Sequence, residues 1–120
     1  MAATDTEKIA FWEAHPGSRI KVVASGEKMT VVYAIIKPGS EIPRHSHAVE
    51  QIAYCLQGEA EFQIGDETFH IKKGYSFIIP PDVMHSGKIT GDQEYASIEA
   101  FSPPRQDLLK GEFKPKESHG

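Results

Sequence analysis

Cysteine is nearly absent: Cys55 is the single one in 120 residues, so no internal disulfide can form. That fits a reducing compartment, and a cytoplasmic location is expected. Long hydrophobic runs are missing as well. No stretch approaches the roughly 20 apolar residues that cross a bilayer, and residues 1–16 lack the basic head and apolar core of a secretory signal. Positive charge is sparse: 13 Lys and Arg stand against 17 Asp and Glu, a net charge of −4, and the one local basic pair is Lys72-Lys73. Neither a nucleic-acid surface nor a membrane partner is expected from that balance. Nothing reads as a Gly-rich phosphate loop, an internal repeat or a low-complexity tract. What remains, 39% hydrophobic and 25% charged, is the composition of one ordinary globular domain.

Glycine and proline are plentiful, ten and eight, and they punctuate short β-rich runs. Strands are predicted over Arg19–Ser25, Met29–Lys37, Val49–Gln57, Ala60–Ile64, Glu67–Ile71, Ser76–Ile79, His85–Ile89 and Glu94–Phe101. The turns between them include Pro38-Gly39, Gly58-Glu59, Gly65-Asp66 and Pro80-Pro81-Asp82. Eight strands at such spacing predict an all-β fold, a small antiparallel β-barrel or jelly roll that hides its own edges. Helix is limited to a turn or two in Thr6–His15 and in Arg105–Lys110. The expected organisation is an N-terminal arm over 1–18, a barrel over 19–103 and a tail over 104–120 with a short helical turn. Val31–Ile36 and the run around Ile52, Tyr54 and Leu56 are apolar on both faces, which a two-layer monomer covers poorly. A second subunit is the expected cover, hence a homodimer; the alternative cover is the folded arm.

His45 and His47 flank Ser46. On an extended strand their imidazoles share one face, and the same parity reaches Gln51 while Glu50 points away. Composition alone gives roughly 0.3 His-x-His pairs by chance, so the pair needs a third group. His85 supplies it, following the Pro80-Pro81-Asp82 turn and opening a strand. His45, His47, Gln51 and His85 are the candidate metal ligands.

The spacing resembles that of the cupin family, the double-stranded β-helix. That family's first motif is Gly, five residues, His-x-His, three or four residues, Glu, six residues, Gly; here Gly39, His45, His47, Gln51 and Gly58 sit at those intervals. In its second motif, Gly, five residues, Pro-x-Gly, two residues, His, three residues, Asn, the matching positions are Gly74, Pro80, Asp82 and His85. The resemblance runs from about Lys21 to Phe101 and implies one divalent metal per chain. Three positions depart from it: Gln51 stands for glutamate, Asp82 for a turn glycine and Ile89 for asparagine. Asp82 is a mild change, because Asp tolerates left-handed turn geometry. Gln51 matters more. Three neutral imidazoles and an amide leave the ion's +2 charge uncompensated, which favours Lewis-acid chemistry and proton transfer over oxidation. Imidazole and amide oxygen suit zinc, nickel, iron, cobalt or manganese, so the metal is not specified.

Among the remaining residues, His70 has surface parity in its strand, and His15 and His119 look like loop residues. Cys55 reads as a small buried hydrophobe that shares the parity of Gln51. Trp12 and Phe11 are expected to pack the arm. In the final strand, pattern alone puts Ala96, Ile98 and Ala100 in the core, Glu99 in water and Arg105 against Asp107 or Glu112.

A second likeness changes that balance. HSHAVEQIAYCLQGEAEF followed by EAFSPPRQDLL is similar to the KdgF-type cupins, which open the ring of 4,5-unsaturated monouronates. The family's tail pattern falls on Glu99, Phe101, Ser102, Pro103, Arg105, Asp107 and Leu108. The resemblance implies Glu99 as a proton shuttle, one methylene longer than the family's aspartate. It implies Arg105 as a grip on a substrate carboxylate and Phe101 as a pocket wall. The expected activity is that of a metal-dependent isomerase or lyase on a small-molecule substrate. The alternatives are a dioxygenase of the quercetinase type and a non-catalytic module binding a sugar or small acid.

Overall fold

The computed structural model of the chain describes residues 3–109, so His119 and the tail beyond Leu109 lie outside the described residues. Ten strands form two facing sheets. They are β1 (Trp12–His15), β2 (Ser18–Ser25), β3 (Thr30–Ile36), β4 (Glu41–His45), β5 (Glu50–Gln57), β6 (Glu59–Ile64), β7 (Glu67–Lys72), β8 (Ser76–Ile79), β9 (His85–Thr90) and β10 (Tyr95–Ser102). A 3-10 turn over Thr6–Lys8 precedes them, and the helix α1 (Gln106–Leu109) follows. The larger sheet runs β1-β2-β3-β10-β5-β8, the smaller β4-β9-β6-β7, and all pairs are antiparallel. This is the all-β jelly roll expected from the strand spacing.

Two strands exceed the expected eight, β1 and β4. β4 contains Pro43, which suppresses a strand signal; the residue is tolerated because β4 lies at a sheet edge. β1 has four residues, too few to display alternation. Its pairing with β2 makes the segment Trp12–His15 part of the larger sheet, inside the stretch read as an arm. Pro16-Gly17 is the hairpin turn between them, with Gly17 at φ 82°.

Alternation decides what each sheet buries. β5 reads exposed-buried along its length, with Gln51, Ala53 and Cys55 inward and Ile52, Tyr54 and Leu56 outward. Ala53 and Cys55 join Ile36, Ala60, Phe62, Ile71, Phe77, Ile79, Ile89 and Tyr95 in the main core. A smaller cluster, Val32, Phe101 and Leu108 with Trp12, Ile20 and Val22 against it, sits apart. Gly58 carries the chain from one sheet to the other at φ 82°, where a Cβ would meet the Glu94 carbonyl oxygen at 2.5 Å. Only glycine fits there without moving backbone.

Candidate functional site

His45 is the last residue of β4 and lies opposite His85, the first of β9. His47 sits in the bend between β4 and β5. The turn before β9 is tied to it: Asp82, at φ 66°, donates its N–H to the His47 carbonyl at 2.8 Å. Asp82 thus adopts the left-handed geometry for which glycine would be the usual residue. The three rings cluster, with centroids 4.3 Å apart for His45–His85, 4.8 Å for His47–His85 and 5.8 Å for His45–His47. Their ligand atoms lie within 4.8 Å of one another, a spread that small ring rotations close onto one ion.

Each ring is anchored by its own loop. Nδ1 of His45 bonds the Pro43 carbonyl at 2.7 Å, that of His47 the Val49 carbonyl at 2.9 Å and that of His85 the Val83 carbonyl at 2.9 Å. A carbonyl only accepts, so each Nδ1 carries the hydrogen and each Nε2 keeps its lone pair for the centre of the cluster. Burial is the main cause that holds His85 down to about 4, with the nearby charges of His45, His47 and Arg44 adding to it and the Val83 carbonyl opposing. His45 is lowered too, first by burial, against the Pro43 carbonyl. Both are therefore neutral near pH 7, the state in which imidazole binds metal.

Gln51 is buried on β5, and its Oε1 stands 3.0 Å from His47 Nε2. Its Nε2 donates to Glu99 Oε1 at 3.1 Å. With that amide orientation, two lone-pair atoms face each other, and a cation in the cluster or a second proton on His47 is required to reconcile them. The donor set and this pairing fit a divalent metal.

The route to Gln51 differs from the parity expected of one continuous strand. The chain bends at Ala48-Val49, and His45 and Gln51 belong to different sheets. They converge because both sheets turn these residues toward the same interior.

β10 supplies the opposite wall. Glu99 lines the pocket, as do Phe101 and Arg105. Glu99 is half-buried, and desolvation raises the pKa of its carboxyl, with the Ser97 hydroxyl and the charge of Arg105 pulling back. Ser97 Oγ donates to Glu99 Oε2 at 2.8 Å. The water-facing position that alternation alone gives Glu99 is thus not the one it holds. Phe101 meets His47 edge-on at 5.8 Å, and the Arg105 guanidinium lies 5.1 Å from the Phe101 ring centre. Arg105 also donates Nε–H and an Nη2–H to the two oxygens of Asp107, at 3.1 and 2.9 Å, one of the two partners that pattern alone offered.

The cavity itself is about 110 Å³ and opens to solvent. Its floor and sides are apolar, from Ile20, Val32, Ile36, Ile42, Phe62 and Ile79. His15, read from sequence as a loop residue, ends β1 and lines this pocket beside His45. The sequence reading had an arm here, where the structure has a β1–β2 hairpin closed by Pro16-Gly17. Cys55 is fully buried in the main core rather than on the pocket wall. His70 is exposed and pairs with Glu59 at 3.0 Å.

Residues 32–100, more than half of the chain, match the Cupin domain family. The solved structure of KdgF from Halomonas sp. superposes with a TM-score of 0.83 at 26% identity, covering 90% of this chain and 100% of that one. "Polyketide synthase CurC" of Streptomyces cyaneus is 32% identical over 71 residues, 58% of this chain and 46% of CurC. "Protein SchB" of Streptomyces halstedii is 33% identical over 78 residues, 62% of this chain and 56% of SchB. The chain spans about half the length of these two curated relatives.

Proposed function

Because this chain belongs to the cupin family and resembles KdgF, we propose that it is a metal-dependent isomerase or lyase acting on a small oxygenated acid. The metal is held by His45, His47, Gln51 and His85, and the substrate class is the 4,5-unsaturated monouronates. The observation that carries this reading is one pocket in which Glu99 and Phe101 of β10, with Arg105 just beyond that strand, face the three clustered imidazoles of His45, His47 and His85. The metal, when bound, supplies Lewis-acid stabilisation of substrate oxygens that gain negative charge.

The remaining chemistry belongs to the chain. Arg105 holds the substrate carboxylate with its planar fork, and Asp107 fixes the plane of that fork. Phe101 and the apolar lining exclude water and seat the ring. Glu99 takes the proton of the anomeric hydroxyl as the ring C–O bond breaks, and the electrons become the carbonyl of the new aldehyde. The electron pair of the broken C–O bond leaves an enolate on the former ring oxygen, which takes the proton at carbon from the same carboxyl and becomes the ketone. The proton returns, so the reaction is an isomerisation with no other reactant. A carboxyl with a pKa raised by burial suits both directions of transfer near neutrality.

The test offers purified protein, loaded in turn with zinc, manganese, cobalt, nickel and iron, an unsaturated monouronate. Loss of the conjugated double bond is followed by ultraviolet absorbance and product by mass spectrometry. Conversion without mass change supports the reading; an unchanged substrate under every metal overturns it.

The same reading includes a homodimer. Ile52 (46% exposed), Tyr54 (49%) and Ile78 (56%) stand together on the outer face of the larger sheet, with Leu56 beside them. Half-buried Ile98, Tyr33 and Ile35 continue that face across β10 and β3. So contiguous an apolar surface is what an interface buries, and a second copy is the proposed cover.

A further inference from the structure

We propose that Ser97 and Glu99 form a positioning relay that aims the Gln51 amide oxygen at the metal and lends the neutral ligand set a negative charge. The inference rests on the metal-binding reading above and adds to it two residues that touch no metal.

A glutamine amide is nearly symmetric in shape, so packing alone does not choose between its oxygen and its nitrogen; hydrogen bonds do. The selector is Glu99. An ionised carboxylate accepts only, so at 3.1 Å it takes the amide Nε2 and leaves Oε1 toward His47 Nε2, 3.0 Å away. Register explains the reach. Gln51 on β5 pairs with Phe101 on β10, which puts Glu99 diagonal to it on the same inward face, within range of two long side chains.

Glu99 is itself held. Its other oxygen accepts the Ser97 hydroxyl at 2.8 Å, and Ser97 is fully buried between Tyr95 and Glu99 on the inward side of β10. Both carboxylate oxygens thus have a fixed donor, one from β5 and one from Glu99's own strand, β10. A hydrogen bond from a ligand to a carboxylate orients the ligand and raises its basicity, and outer partners of this kind are typically worth 10- to 100-fold in metal affinity. The charge that a ligating glutamate would bring is here displaced one step outward, onto Glu99.

The measurement is a cobalt(II) titration of metal-stripped protein, read by visible ligand-field absorption, for wild type, Gln51→Ala, Glu99→Ala, Glu99→Gln, Ser97→Ala and the Gln51→Ala/Glu99→Ala double variant. Circular dichroism checks each fold. Glu99→Ala is expected to lower cobalt affinity by about 10- to 100-fold and to take on the spectrum of Gln51→Ala. The double variant should lose little more than either single one, since both break one unit. Glu99→Gln, which keeps the shape and an accepting oxygen, should lose less, and Ser97→Ala should shift affinity in the same direction. Wild-type affinity and spectrum in Glu99→Ala, or fully additive losses, would overturn the relay while leaving the metal site intact. A wild type that takes no cobalt would overturn the metal reading and the relay with it.

Discussion

His47 Nε2 and Gln51 Oε1 stand 3.0 Å apart while His47 Nδ1 is already bonded to the Val49 carbonyl at 2.9 Å. Two acceptors at that distance repel unless a cation joins them, so the pair marks where the positive charge belongs. Metal content by mass spectrometry checks this. Wild type should hold close to one ion per chain. His45→Ala and His85→Ala should lose nearly all of it, whereas Gln51→Ala should bind about tenfold or more weakly. Equal metal in wild type and His85→Ala would rule the cluster out.

The same burial that keeps the histidines neutral couples stability to pH. His85 is lowered from 6.5 to about 4, chiefly by desolvation, and His45 and His15 move the same way. In the unfolded chain these groups take up protons near their ordinary value. Their contribution to stability is therefore present above about pH 6.5 and lost as pH falls toward 4. For His85 alone it is on the order of 3 kcal/mol. Glu99, raised by burial, has the opposite sign and loses stability as pH rises through its folded value. Denaturant midpoints of the metal-free protein should fall between pH 7 and 4, and fall more steeply in Glu99→Gln. A flat profile would contradict the desolvated histidines.

Much of this site was legible because metal ligation constrains residue type and interval together. Gly39, His45, His47, Gln51 and Gly58 carry one motif, and Gly74, Pro80 and His85 the other. Gln51 reaches the cluster by another route than strand parity. Strand parity does not pass through the bend at Ala48-Val49, and agreement came from two sheets facing one interior. Ser97 was invisible, since a small hydroxyl beside Ala96 and Ile98 reads as packing. His15 was misread because four residues of β1 carry no period.

Gly58 tests how tightly the crossing between sheets is specified. Its φ of 82° and the 2.5 Å approach of a Cβ to the Glu94 oxygen require both strain and backbone movement from any side chain. Gly58→Ala should cost roughly 2–4 kcal/mol, measured as a lower denaturant midpoint. Gly39→Ala has the same sign of φ, 81°, but open space around its Cβ position, and should cost about 1–2 kcal/mol. Equal losses would mean that the contact with Glu94 does not matter.

Tyr54 stands near the middle of the exposed apolar face, between Ile98 on β10 and Ser76 on β8. A charge placed there would be buried unpaired at a two-fold interface. Tyr54→Glu should therefore convert a dimer to a monomer in sedimentation velocity with little change in circular dichroism. A wild type that sediments as a monomer at high concentration would remove the proposed interface.

Arg105 joins the ligand pocket to the end of the fold. Its backbone N–H bonds Thr30 Oγ1 at 3.0 Å, its guanidinium is largely buried over Phe101, and Asp107 holds two of its N–H groups. Hydrogen bonding from Arg105 is the main cause that keeps the Asp107 carboxyl below its ordinary value, so Asp107 is ionised near neutral pH. Arg105→Lys replaces a planar fork by a point charge and cannot bind a carboxylate in the bidentate way. It should raise KM by about tenfold or more with a smaller effect on kcat. Asp107→Asn removes the charge that orients the fork, and should raise KM less while leaving kcat near wild type. If Arg105→Lys lowered kcat and left KM unchanged, the arginine would be acting on the reacting bonds rather than on the substrate's carboxylate.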